Sequence, residues 1–411
     1  MAHFIVATIG TYGDVYPFAQ VALALKKIGH QTTFITSPYF EKMITELGLN
    51  FRPLGTKEQY LIVLQNDKLW NDQSFMDIAM TLFLPNLETI DRFIRTQPQD
   101  EKFIILTHQN LLPNAALAQV QRPHDITIIG GALYPSVFGD ATSPHTSENP
   151  EQFQYSQMPL IVPVNRARSL VGLPTVNTYL DLFTCYASLN VLLFGEWFGE
   201  KENHWPDQLI AGDFIYHEDL KSSATSNELE RFLAIKKKPI LCTFGTGNLH
   251  CQTHFEHALS VVEKGNHRAI FICKDRTLLP ASLPESVLWL EYCNDFPALL
   301  QQCSMIVHHG GIGTLAEAAR AGLPQLITPS LGDQWDNADR IRQLHLGSSI
   351  PAHELSPENF YEAVTEILQS VSINQHCADL SARISHRLRA KDIANNIIQR
   401  LIETKFLDLP L

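Results

Sequence analysis

The sequence predicts an α/β protein built from two doubly wound, parallel-sheet domains. Three observations predict it. Short apolar runs alternate with helical stretches in the first part of the chain, and the same alternation restarts after residue 238. A chain of 411 residues is too long for one ordinary core and divides naturally into two. Between the halves lies YHEDLKSSATSNELE (216–230), polar and rich in Ser and Thr, as a linker is.

Taken in order, FIVATI (4–9) is a buried parallel strand ending at Gly10, and Phe18 to Ile28 is a helix stopped by Gly29. QTTFIT (31–36) is the second strand; Pro38 opens a helix that stops at Gly48. FIILT (103–107) and DITIIG (125–130) continue the strands, and 134–175, with many Pro, Ser and Asn, is a long surface loop. PILCTFG, AIFIC, VLWLE, SMIVHHG and PQLITP are the strands of the second half, and the chain is mostly helical after 354. Such alternation implies parallel sheets covered on both faces, with the two domains facing across a cleft. Ligands then bind beyond the carboxyl ends of the strands, which selects the loops 10–17, 244–250 and 308–314.

Composition narrows the function. Hydrophobic residues make up 45% and charged residues 18%, a globular balance. A net charge of -12 argues against nucleic acid as a partner. The N-terminus has no basic segment and too short an apolar run for a signal peptide, and no stretch approaches a membrane span. Seven scattered cysteines without a CxxC pair read as reduced thiols in a cytoplasm.

VHHGGIGTLAEAARAG (307–322) reads as strand, loop, helix. Gly310, Gly311 and Gly313 let the backbone approach a ligand closely. Thr314 is expected to start the helix, whose amides and positive end suit a diphosphate, with His309 adding a bond to a phosphate oxygen. The spacing fits neither the dinucleotide fingerprint nor a P-loop. A tight turn without ligand is the alternative for the glycines. Thr314-x-x-Glu317 is a capping box, which alone explains both residues. After the next strand, Asp333 and Gln334 set a carboxylate beside an amide, a pair that grips vicinal sugar hydroxyls; the alternative is an N-cap for a helix starting near Trp335. In the first loop, Asp14 is placed either to take a proton from a hydroxyl or to cap a helix starting near Tyr16 or Pro17. His108, at a strand end, either bonds Asp14 or the acceptor, or is a polar edge residue. In LHCQTHFEH, His250, His254 and His257 have the spacing of a zinc-binding helix face, but Thr253 reads as an N-cap that leaves His250 in the preceding loop.

HHGGIGT, AGLPQLITP and DQWDNA together resemble the donor-binding signature of family 1 glycosyltransferases, which have the GT-B fold, and GTYGDVYPFAQVALALKKIGHQTTFIT is similar to the same enzymes. The resemblance is closest to the branch holding the rhamnolipid rhamnosyltransferase chain, sterol glucosyltransferases and vancomycin- and macrolide-type enzymes. NHWPDQLIAGDF and ELERFLAIKKKPILCTFGT also look like the rhamnosyltransferase chain, so that about residues 3–55 and 195–345 are covered. The resemblance implies an acceptor-binding domain over 1–218, a donor-binding domain over 219–390 and a helix over 391–411 that returns to the first domain. It implies that His309 and the glycine-loop amides hold the donor diphosphate, that Glu317 binds the ribose, and that Asp333 and Gln334 bind the sugar. Thr246, followed by Gly247, matches the small hydroxyl residue near the diphosphate, and Gly13 is grouped with the donor residues. Asp14 is implied to be the base, where plant relatives use a histidine. The Trp-x-Pro-Gln uracil platform of those relatives is replaced by EYCNDFPALL, which leaves uracil and thymine both open.

The resulting expectation is an inverting, cytoplasmic hexosyltransferase needing no metal and no cofactor. It moves sugar from a UDP- or dTDP-sugar to a hydroxyl of a lipophilic small molecule. Of the apolar residues in 60–95 and 134–200, Phe83, Phe138 and Trp197 among them, most are expected to be core and some to line the acceptor site. Peripheral membrane association is compatible with such an acceptor. Two other readings are a catalytically silent, sugar-nucleotide-binding protein of this fold and a GT-B-like sugar-nucleotide epimerase.

Overall fold

A computed structural model describes residues 2–65, 79–138, 161–170, 172–175, 181–217, 227–245, 251–384 and 388–406. They form two units, each an α/β fold around one parallel sheet. The first unit runs to Ile215 and takes up the chain again from Leu388; the second begins at Tyr216 and ends at Arg387. The sequence had set these boundaries three residues later, at 218/219 and 390/391. The earlier first boundary has a local cause: the His217 amide donates to Glu317, inside the second unit, at 2.7 Å.

The strands of the first unit are β1 (His3–Ala7), β2 (Gln31–Thr36), β3 (Asn50–Pro53), β4 (Phe103–His108), β5 (Ile126–Ala132), β6 (Leu189–Leu192) and β7 (Leu209–Ile210), in the order β3-β2-β1-β4-β5-β6-β7. Every pairing is parallel. β1 is central and buried at all its positions, as expected of an unbroken apolar run covered on both faces. Helix α1 (Tyr12–Lys27) follows it and buries Val15, Phe18, Val21, Ala22 and Leu25. It starts six residues before the expected Phe18, because Thr11 and Asp14 close a capping box around its first turn. Pro17 sits inside the helix, where the sequence had placed it at the start. The C-terminal helix Ala390–Glu403 packs on α1, with Ile393, Ala394, Ile397 and Leu401 buried in the core of this unit.

The second unit holds β8 (Ile240–Thr243), β9 (Ala269–Ile272), β10 (Val287–Leu290), β11 (Met305–His308), β12 (Gln325–Ile327) and β13 (Gly347–Ser349), in the order β10-β9-β8-β11-β12-β13. Its helices include α2 (Gln252–Lys264), α3 (Ile312–Arg320) and α4 (Gln334–Gln343). β13 has no large apolar side chain and offered no strand signal. Its Gly347 lies so close to β12 that a Cβ would fall 1.8 Å from the Gln325 carbonyl.

The strand order reverses at β1/β4 in one unit and at β8/β11 in the other. At such a reversal neighbouring connections diverge and leave a crevice at the carboxyl end of the sheet. His108 ends β4 and the turn leading into Asp14, in the first turn of α1, follows β1; Gly245 follows β8 and His309 follows β11. Most of the residues singled out from sequence therefore sit at one of two equivalent places.

Candidate functional site

In the first unit the chain leaves β1 through Ile9, Gly10 and Thr11. Gly10 has φ +129°, and a Cβ there would fall 2.3 Å from Asp14 Oδ2, so no other residue fits. Asp14 Oδ2 accepts from the Thr11 amide (2.7 Å) and the Thr11 hydroxyl (3.1 Å). Tyr60 donates to the Gly10 carbonyl at 3.0 Å. Burial, then the Asp14 charge and Tyr39, raise its phenol above the ordinary value, so it remains a neutral donor.

The other carboxylate oxygen, Asp14 Oδ1, lies 3.5 Å from His108 Nε2. The Asn110 amide donates to His108 Nδ1 at 3.1 Å. That bond fixes the neutral tautomer with its hydrogen on Nε2, aimed at Asp14. The His108 ring is buried against Phe18, and its Nε2 makes no hydrogen bond of ordinary geometry. A fixed carboxylate with a buried N–H behind it can accept a proton and have the resulting acid oriented.

In the second unit two adjacent histidines have different duties. His308 is fully buried; its Nδ1 accepts from the Gly310 amide (3.1 Å) and its Nε2 faces Gln325 Oε1 (2.9 Å). Burial and the neighbouring His309 push its pKa down to about 3, against a smaller opposing effect of Gln325. The His309 ring instead lies between two glycines. A Cβ on Gly245 would come within 2.6 Å of its Cε1, and one on Gly311 within 2.5 Å of its Nε2. Its buried Nδ1 has no partner, and burial followed by the charge of His254 lowers its pKa to about 4. His254, in the first turn of α2, packs on Phe244 with ring centroids 4.9 Å apart, and burial followed by His257 brings it to about 4 as well.

Several expectations are corrected. Helix α3 begins at Ile312 with Gly311 at its N-cap, so Thr314 does not start it and Thr314-x-x-Glu317 is no capping box. Gly310 spends its amide on His308, which leaves the later amides of the turn to face a ligand. Gly313 and Thr314 lie in that first turn, where helix amides have no partner within the helix. Glu317 is buried; one oxygen accepts from the His217 amide and lies 3.2 Å from its Nδ1, and the other accepts two bonds from Arg320. Its lone pairs are occupied, so a ribose would have to displace His217. Asp333 stands at the N-cap of α4 without capping it, and instead accepts from Asn337 Nδ2 at 2.7 Å. Gln334 Oε1 accepts from Ser330 and Leu331, leaving only its amide nitrogen to donate. Helix α2 starts at Gln252 after Cys251, so Thr253 is not its cap. No group of three metal-ligating side chains occurs among the described residues. Thr246, Gly247 and His250 lie outside the described residues. Gly13 lies in the first turn of α1, in the first unit. Phe83 and Phe138 are core residues, and Trp197 is half-buried against Phe198 and Phe214.

One contributor was missed. Asn337 is fully buried, and its Nδ2 donates to the Gly310 carbonyl at 2.9 Å as well as to Asp333. It ties the glycine loop to α4. The signal was the four-residue spacing from Asp333, which puts both on one helix face.

Comparison with known proteins gives a match in each part of the chain. Residues 4–108 match the glycosyltransferase family 28 N-terminal domain, and 268–403 match the erythromycin biosynthesis protein CIII-like C-terminal domain. The chain is 24% identical to O-mycaminosyltylonolide 6-deoxyallosyltransferase of Streptomyces fradiae, over 82% of each. It is 24% identical to a sterol 3-beta-glucosyltransferase of Arabidopsis thaliana over 89% of this chain and 62% of that one. It is also 24% identical to UDP-sugar-dependent glycosyltransferase 52 of Dictyostelium discoideum, of which it spans only 26%. The calicheamicin glycosyltransferase CalG4 shares its fold with a TM-score of 0.76 at 15% identity, over 98% of both chains. The glycosyltransferase VinC, solved with dTDP, does so with a TM-score of 0.69 at 15% identity, over 98% of this chain and all of that one. The chain thus has the GT-B fold and is similar in sequence to macrolide and sterol glycosyltransferases.

Proposed function

We propose that this protein is an inverting glycosyltransferase that transfers a sugar from a UDP- or dTDP-sugar to a hydroxyl of a lipophilic small molecule, without a metal. The observation that carries the reading is Asp14. Its carboxylate is fixed by Thr11 at the β1/β4 reversal, with the His108 N–H directed at its second oxygen. In this reading Asp14 takes the proton of the acceptor hydroxyl while the oxygen attacks the anomeric carbon. The bond to the nucleoside diphosphate breaks on the opposite face, and one in-line displacement inverts the configuration. The departing diphosphate is met by His309, by the first-turn amides of α3 and by that helix's positive end. Asp333 and the Gln334 amide are assigned to the sugar. The name of the Streptomyces relative, and the dTDP bound by VinC, favour a deoxysugar on thymidine diphosphate as readily as a UDP-sugar.

The test is to incubate purified protein with a panel of UDP- and dTDP-sugars and hydrophobic alcohols, sterols and macrolactones among them. Acceptor-dependent release of nucleoside diphosphate is expected, unaffected by EDTA, with an inverted product by NMR. Binding without release would leave a carrier; conversion of the sugar nucleotide without acceptor would leave an epimerase.

A further inference from the structure

Helices α2 and α3 each bring one imidazole to the β8/β11 reversal, and among the described residues no carboxylate bonds or ion-pairs with either. His309 precedes α3; His254 sits in the first turn of α2. Consecutive residues hold the two rings: Phe244 packs on His254, and Gly245 leaves the space that His309 fills. The His309 Nδ1 is buried without a partner. Among the described residues, the further imidazoles His257 and His308 adjoin the pair; the Cys251 and Cys273 thiols stand at the start of α2 and just after β9, and the Asp333 carboxylate at the start of α4 reaches the glycine loop only through Asn337. Neither helix carries an acidic residue in its first turn. Farther along them, Glu256 bonds Gln252 and Glu317 bonds Arg320 and His217, while Glu263 lies in the last turn of α2, at the opposite end from His254. An imidazolium formed here would find no counter-charge from these helices, and it would stand at two positive helix ends. Burial first, and then a neighbouring imidazole, lowers both pKa values to about 4, so both rings are neutral near pH 7. A diphosphate beside them reverses that balance.

We propose that His254 acts with His309 as an imidazole pair that takes up protons from solvent when a nucleoside diphosphate enters, so that part of the ligand's charge is met by protons gained on binding. The proposal rests on the donor-binding reading above. No covalent bond changes; the proton comes from water or buffer and returns to it when the nucleotide leaves. The direction of the pH effect follows. Uptake occurs between the low pKa of the free rings and the higher pKa of the complex, so affinity strengthens as pH falls through the latter. The gain is at most about tenfold per pH unit for each linked proton.

Calorimetric titration of UDP and dTDP into the protein, at pH 7 in buffers of differing ionisation enthalpy, counts the protons exchanged. His254→Asn and His254→Phe are compared with the parent; the second keeps an aromatic ring on Phe244 in case the first disturbs folding. The terminal phosphate of the nucleotide itself titrates near pH 6, but identically for every variant, so the difference isolates the histidine. The parent is expected to take up protons, the variants to take up fewer, and their dissociation constants to vary less between pH 6 and 8. Binding by the parent without uptake, or uptake unchanged in both variants, overturns the proposal and leaves the donor reading intact. No binding of either nucleotide overturns the donor reading and this one with it.

Discussion

Asp14 carries two duties, and Asp14→Asn separates them. As a cap, its Oδ2 accepts two bonds from Thr11. As a base, it needs only its negative charge. Asparagine keeps an oxygen for the Thr11 amide but makes the bond neutral. Hydrogen bonds to a charged group contribute about 1.5–3 kcal/mol and neutral ones about 0.5–1.5, so the exchange costs about 1 kcal/mol. With that oxygen toward Thr11, the new NH2 group faces the His108 Nε2–H across the 3.5 Å gap, donor against donor. The total is about 1–2 kcal/mol, or roughly 2–8 °C in melting temperature for units of this size. Loss of a general base lowers kcat by about 10²–10⁴. Thr11→Ala is the companion: it removes the hydroxyl and keeps the carboxylate, so it should melt lower by about 1 kcal/mol and turn over near the parent rate. Acceptor-dependent nucleoside diphosphate release at saturating substrates gives kcat, and calorimetry checks that the donor half still binds nucleotide. Parental kcat in Asp14→Asn would refute the reasoning, as would equal losses in the two variants, because either result makes Asp14 a cap and nothing more.

Three further outcomes are expected. His309→Ala should weaken binding of UDP and dTDP by about 1.5–3 kcal/mol, the worth of a bond to a charged oxygen; equal dissociation constants by calorimetry would give the ring another job. Gly10→Ala should destabilise by about 2–5 kcal/mol in urea, since it combines an unfavourable positive φ with overlap on the Asp14 carboxylate; a change under about 0.5 kcal/mol would contradict the loop geometry. Acid should weaken the second unit. The pKa values of His254, His308 and His309 are depressed to between about 3 and 4, so their contribution is whole above the unfolded value near 6.5. It is lost as pH falls toward 4, at up to roughly 2 kcal/mol per ring between pH 6.5 and 5. An equal or higher denaturation midpoint at pH 5 than at pH 7 would refute this.

The parallel sheets were legible because buried strands such as FIVATI and SMIVH are short apolar runs between glycines and helices. β13 was not, because GSS carries no apolar pattern and is held by backbone pairing with β12. Helix starts were the weakest reading. Tyr12 and Gly13 are poor helix formers, which hid a capping box spelled out by Thr11 and Asp14. Conversely, Thr314 and Glu317 spell a capping box that the structure does not use, because the helix begins two residues earlier. The place of Asp14 and His309 in the fold was readable from strand-end position. The partners of Glu317 were not: His217 lies 100 residues away in sequence, and no local pattern announces a contact of that range.

The C-terminal helix bears on how the protein is made. Ile393, Ala394, Ile397 and Leu401 complete a core whose other members were synthesised first, on β1 and α1. At about 5–20 residues per second, a ribosome that has passed Ile215 needs roughly 10–40 s more to deliver Leu401. During that interval the whole second unit, from β8 to Arg387, is synthesised ahead of Leu401, while the first waits with the face of α1 that this helix covers bare. The half of the chain that is born first is therefore the half that matures last, and a translational pause late in the message would prolong the time its apolar surface stays open to chaperones.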